Sequence, residues 1–213
     1  MKLTITYDLD KEFDNLQRGL KTVFNPEHQS KLVREMMAAK VNLSSKEEVD
    51  KFIAQKIQDE NINSQQAAHD IQKKWDKISQ SAISRMDKLF ATSAPFENIT
   101  VYLSLNGRCA YNFPERYFFV CFTRPNPIGV MIHELLHFYT HLLIQPYFIE
   151  QGEEDKHGEF KEALTVLLNT EFNDVIEEQD KGYEKHAESR AWIESNWTKG
   201  MTVQELAKRY LER

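Results

Sequence analysis

His133-Glu134-Leu135-Leu136-His137 is the stretch of this sequence whose residue types and spacing could do chemistry. Two histidines four apart fall on one face of a helix, one turn from each other. Both imidazoles can then reach a single metal ion, and Glu134 projects close enough to take a proton from a water held by that ion. The chemistry implied is metal-assisted activation of water, with zinc (Zn2+) as the ion.

The elements that must position this motif follow from the patterning around it. A helix is predicted from Ile128 to about Gln145, where Pro146 stops it. Ile132, Leu135, Leu136, Tyr139, Leu142 and Leu143 form its apolar surround, with the histidines on a separate stripe. A buried helix carrying imidazole and carboxylate must satisfy them, and a metal ion does so economically. Before it, beyond Pro95, three strand-like stretches succeed one another: Asn98 to Leu105, Arg108 to Phe113, and Tyr117 to Thr123. Asn106-Gly107 signals a hairpin between the first two, and the continuous apolar run Tyr117 to Phe122 predicts a strand buried on both faces. A polar acidic loop is expected from Glu150 to Lys156, then a helix from Glu159 to Asn169, and two more over Tyr183 to Trp197 and Thr202 to Leu211. The last opens with a capping box, Thr202-Val203-Gln204-Glu205.

Upstream, Lys2 to Tyr7 alternates apolar and polar residues, the pattern of a short strand. From Asp10 to about Phe90 the sequence is helical. Ser45-Lys46-Glu47-Glu48 reads as a capping box, and Ser64 as the cap of a long helix with the stripe Ile71, Trp75, Ile78, Ala82, Met86 and Leu89, whose spacing is that of core packing. His28, His69 and the tryptophans need no functional account. The fold class expected is α+β: mainly helical, with a small, largely antiparallel sheet preceding the motif helix. A helical amino-terminal region (1–92, with a short first strand) and a region carrying the motif (93–213) are expected, compatible with one compact unit.

A catalytic zinc needs three protein ligands and an open position. His133 and His137 supply two, and Glu134 is occupied as the base. A third histidine in the H-x-x-G-x-x-H continuation is excluded, because residue 140 is Thr and residue 143 is Leu. His141 lies eight residues beyond His133, about 12 Å along the axis, too far for one ion to take both. Glu162, one helix downstream beside an apolar face, is the favoured third ligand; Glu159, Glu171 and His157 are its rivals.

The charge and composition bound the alternatives. The net charge of −6 over 213 residues gives no support to nucleic acid as the main partner. No apolar run approaches bilayer length, so no membrane partner is expected, and the amino terminus lacks the apolar core of a signal peptide. The expected location is cytoplasmic, where Cys109 and Cys121 would be reduced and packed rather than bridged.

Strand stretches, a His-Glu-Leu-Leu-His helix, a loop and a helix carrying Lys161-Glu162-Ala163-Leu164 together resemble the gluzincin group of zinc metallopeptidases, over roughly residues 96 to 170. The Asn-Glu-x-x-Ser-Asp pattern of thermolysin-like members is not kept: Lys161, Glu162, Thr165 and Val166 stand at those places, so the Asp that orients a ligand histidine is missing there. The resemblance implies peptide-bond hydrolysis of a peptide or protein substrate, with zinc on His133, His137 and Glu162 and Glu134 as general base. It also implies an edge strand from the 98–123 stretch that holds substrate, and a Tyr, His or Arg near the developing oxyanion. Tyr183 and His186, with Arg190, are the candidates for that role. The alternative is a zincin-like protein that binds metal or a partner without catalysis.

Overall fold

Alternating residues at the amino terminus form β1 (Lys2–Tyr7), which buries Leu3 and Ile5. The computed structural model of the chain describes residues 1–22, 29–94 and 96–213; His28 and Pro95 lie outside the described residues. Helices follow as α1 (Leu9–Thr22), α2 (Lys31–Ala38), α3 (Lys46–Asp59) and α4 (Ser64–Leu89). Strands β2 (Asn98–Ser104), β3 (Tyr111–Asn112) and β4 (Tyr117–Cys121) come next. The chain closes with α5 (Pro127–Leu143), α6 (Gln145–Glu150), α7 (Glu154–Leu164), α8 (Leu168–Glu171), α9 (Ala187–Asn196) and α10 (Val203–Leu211). Helices dominate and the strands form one small sheet, an α+β protein.

Two compact units interleave along the sequence. Unit 1 holds Met1, Trp75–Glu97 and Ile128–Arg213; unit 2 holds Lys2–Lys74 and Asn98–Pro127. No helix among the described residues is long and apolar enough to cross a membrane.

Unit 2 carries the sheet, in the order β1-β2-β4-β3. β1 runs parallel to β2 and β2 parallel to β4, while β3 alone is antiparallel, to β4. The sheet is therefore mixed, which corrects the expectation of a largely antiparallel meander. The physical reason lies in α1. The Glu12 carboxylate accepts hydrogen bonds from the amides of Leu105 and Asn106 at 3.1 Å each and from the Ser104 hydroxyl at 2.9 Å. Asn15 Nδ2 donates to Ser104 Oγ at 2.9 Å and to the Arg108 carbonyl at 3.0 Å. The end of β2 is thus captured by side chains of a helix, so Asn106-Gly107 does not close a hairpin and the returning strand shrinks to Tyr111–Asn112. β4 is buried along its whole length, as the apolar run predicts. Each of Phe118, Phe119 and Val120, wholly removed from water, contributes about 1.5–3 kcal/mol. Along the 98–123 stretch, β2 is flanked by β1 and β4, while β3 pairs with β4 at Tyr117 and Phe118.

In unit 1, α5 is anchored through its aromatic residues. Tyr139 donates to Asp87 at 2.7 Å, and Phe96 meets Phe138 and Tyr139 edge-on at 5.8 and 5.5 Å. Phe160 of α7 packs between Phe148 and Tyr210. Pro146 sits in the first turn of α6, where its missing amide costs nothing. The acidic loop is shorter than expected, because α7 begins at Glu154. The Thr202–Glu205 capping box forms in both directions. At Ser45 one half forms: Ser45 accepts from the Glu48 amide, while Glu48 accepts from the Asn42 amide instead. Asn63 takes the capping role expected of Ser64, accepting from the Gln66 amide at 2.9 Å. The stripe from Ile71 to Leu89 is core, with Trp75 and Met86 each 1% exposed.

Candidate metal centre

α5 packs its apolar residues on the unit 1 core and sets His133, Glu134 and His137 close together, Glu134 and His137 buried and His133 part-buried. The two imidazoles lie with ring centroids 4.5 Å apart and planes nearly perpendicular. α7 brings Glu162 against them: its Oε2 is 3.5 Å from His137 Nε2. One ligand atom from each of His133, His137 and Glu162 lies within 4.8 Å of the others, so the three could hold one metal ion.

The other candidates for third ligand stand elsewhere. His157 is buried with its ring against Phe148. Glu159 binds Ser189 and faces Arg213 at 3.6 Å, and Glu171 accepts the Trp197 indole N–H at 2.8 Å. His141 lies in the last turn of α5, outside the cluster.

The orienting carboxylate that is missing from α7 comes from a loop. His133 Nδ1 lies 2.6 Å from Asp180 Oδ2. With Nδ1–H donating to that carboxylate, Nε2 keeps its lone pair for a metal. Asp180 is itself held on several sides. Its backbone exchanges hydrogen bonds with the Asn169 side chain at 2.7 and 3.0 Å. Thr165 Oγ1 donates to its Oδ1 at 2.9 Å, and Arg190 reaches Oδ1 at 3.1 Å and the carbonyl at 2.6 Å. Gly182 makes room for this arrangement. At φ +59° it is in the left-handed region, and a Cβ there would lie 2.5 Å from Arg190 Nη1.

Charge in the site is arranged with equal economy. Burial pushes Glu134 up to about 7, against the pull of His133 and Lys161. Its Oε2 is buried and has no hydrogen-bond partner among the described residues. Burial also pushes His137 down to about 3, so its imidazole is neutral. Burial opposes ionisation of Glu162 too, but the His137 hydrogen bond and the Lys161 ammonium hold its carboxyl well below the usual range. Lys161 Nζ lies 2.6 Å from Glu162 Oε1, which leaves Oε2 turned toward His137. Burial disfavours the charged form of His133, but the Asp180 hydrogen bond and the nearby carboxylates of Glu134, Asp180 and Glu162 together outweigh it, raising its pKa. Neutral imidazole and ionised carboxylate are the forms that bind a metal.

Tyr183, His186 and Arg190 do not form one helical face. Glu184–His186 is a 3-10 turn and α9 starts at Ala187. Tyr183 is 59% exposed, its ring 6.2 Å from that of His186. Neither belongs to the cluster, and Arg190 is buried in support of Asp180.

Asp180, Thr165, Asn169 and Lys161 are the site residues that sequence reasoning did not assign. Asp180 ends the run Glu177-Glu178-Gln179-Asp180, whose charge reads as a solvated surface; Gly182, two residues on, is the one local sign of a special backbone. Compared with protein-family models, curated proteins and solved structures, the chain gives no match, so its chemistry is carried by this geometry alone.

Proposed function

We propose that the protein is a zinc-dependent metallopeptidase acting on peptide or protein substrates, in the gluzincin manner. The observation that carries this reading is the meeting of His133, His137 and Glu162 donor atoms within 4.8 Å, with Glu134 buried beside them. Two imidazoles and a carboxylate fit zinc, and three ligands leave the open position that catalysis needs. When bound, the ion would supply Lewis acidity, acidifying a water and polarising the scissile carbonyl.

The chain's own residues do the rest. Glu134, with a free buried carboxylate oxygen and a pKa of about 7, is poised to take a proton and return it to the leaving amine. Asp180 holds the His133 tautomer, and Lys161 fixes which Glu162 oxygen faces the ligands. A cytoplasmic location accords with Cys109 and Cys121, which no disulfide joins.

Metal analysis and a peptide library test the proposal. One zinc per chain is expected, lost in His133→Ala. Glu134→Gln is expected to keep zinc and lose hydrolysis. A zinc-loaded wild type that cleaves nothing across a broad library would leave a metal-binding protein without catalysis.

A further inference from the structure

Unit 2 contains a cavity of about 610 Å³, lined by none of His133, His137, Glu162 and Asp180. Its walls come from the start of α2, from α3, and from the loops after β2 and β4. Arg108 and Arg124 both line it. Arg108 Nε is buried and has no hydrogen-bond partner among the described residues. Arg124 Nη2 donates to the Gly107 carbonyl at 2.6 Å, a bond that aims the guanidinium without neutralising it. Gly107 lies between Arg124 and Ser30: a Cβ on it would be in ordinary contact with Arg124 Nη2 at 3.5 Å and Ser30 Cβ at 4.0 Å. Arg124 and the cap of α2 therefore meet across this one residue.

The acidic groups of the same wall are already engaged. Lys56 Nζ lies 2.8 Å from Glu35 and 2.5 Å from Glu60. The two guanidiniums are thus left with no carboxylate partner among the described residues, beside a space large enough for a small organic molecule. Arg108 is part-buried and Arg124 is exposed beside this space, so both guanidiniums are open to an anion that enters it from solvent.

We propose that this cavity binds a small phosphate-bearing molecule. A phosphate, with more oxygens and more negative charge than a carboxylate, can accept from both guanidinium forks at once through separate oxygens. The amide end of α2 adds positive potential on the same side. Leu32, Val33 and Leu105 supply an apolar wall for the rest of such a ligand.

The test is titration of the zinc-loaded protein with inorganic phosphate, phenyl phosphate and acetate at constant ionic strength, followed by amide NMR shifts. Saturable shifts at Leu32, Gly107 and Arg108 are expected with phosphate and phenyl phosphate and absent with acetate. Tighter binding of phenyl phosphate would identify an organic phosphate as the ligand class; equal binding would identify the free ion. Arg108→Gln removes no structural bond of the guanidinium and should weaken either ligand by about tenfold or more, with Arg124→Lys weakening it less. His133→Ala should leave the titration unchanged, which separates this site from the metal centre. Shifts that never saturate, that centre on residues 133–137, or that persist unaltered in Arg108→Gln would overturn the proposal.

Discussion

Glu12 and Glu134 are two buried glutamates, one in each unit, and they differ in what faces them. Both are pushed up to about 7 by burial. The Glu12 carboxylate is filled by the Ser104 hydroxyl and the amides of Leu105 and Asn106. Glu134 leaves Oε2 buried with no partner among the described residues. A buried carboxylate saturated by its own chain is a brace, which here decides where β2 ends. One left unsaturated beside groups that could hold a metal is costly to folding and available to chemistry. Burial and pKa alone do not separate the two; the hydrogen-bond partners do.

Substitution of Glu134 should break the comparison most severely. Glu134→Gln is expected to lower peptide hydrolysis by about 10²–10⁴-fold with zinc content unchanged, as measured by turnover and metal analysis together. Glu12→Gln should leave turnover per folded molecule near the wild-type value.

The pH dependence of stability comes next in size. The folded-state pKa of Glu12 lies near 7, above its ordinary 4.5, so folding favours the protonated acid. Its contribution is complete below about pH 4.5 and is lost as pH rises through about 7, on the order of 3 kcal/mol in all. Urea denaturation of the metal-free protein should show this decline, and Glu12→Gln should remove that part of the slope. An unchanged slope in Glu12→Gln would count against Glu12 as a titrating brace.

Smaller effects are expected around Glu134's neighbours. Asp180→Asn should weaken zinc binding by about 10–100-fold, because the partner that fixes His133 loses its charge. Competition with a chelator reads this directly. Gly182→Ala should act through the same chain of contacts, displacing Arg190 from Asp180, with a loss of about tenfold in zinc affinity and a lower melting temperature. Retention of wild-type affinity in both would mean that Asp180 does not support the metal ligand.

Much of the fold was legible from local pattern. Alternation at Leu3, Ile5 and Tyr7 located β1, and the unbroken apolar run located the buried β4. The α4 stripe located a core helix, and Thr202 with Glu205 located the start of α10. These features rest on neighbours a few residues apart. The order β1-β2-β4-β3 was not legible, because the hairpin signal at Asn106-Gly107 competes with Glu12, some 90 residues away in sequence, for the same amides. Nothing in the local sequence around either residue records that competition.

The same division runs through the candidate site. His133, Glu134 and His137 follow from the sequence by itself, since helical periodicity puts residues four apart on one face whatever surrounds them. Glu162 could be ranked above Glu159, Glu171 and His157 by residue type and helix face, but its approach to His137 depends on how α7 packs beside α5. Asp180 was decided by tertiary structure alone. A loop carboxylate 47 residues from His133 meets it because Asn169, Thr165 and Arg190 hold it there, and because Gly182 leaves Arg190 the room to do so.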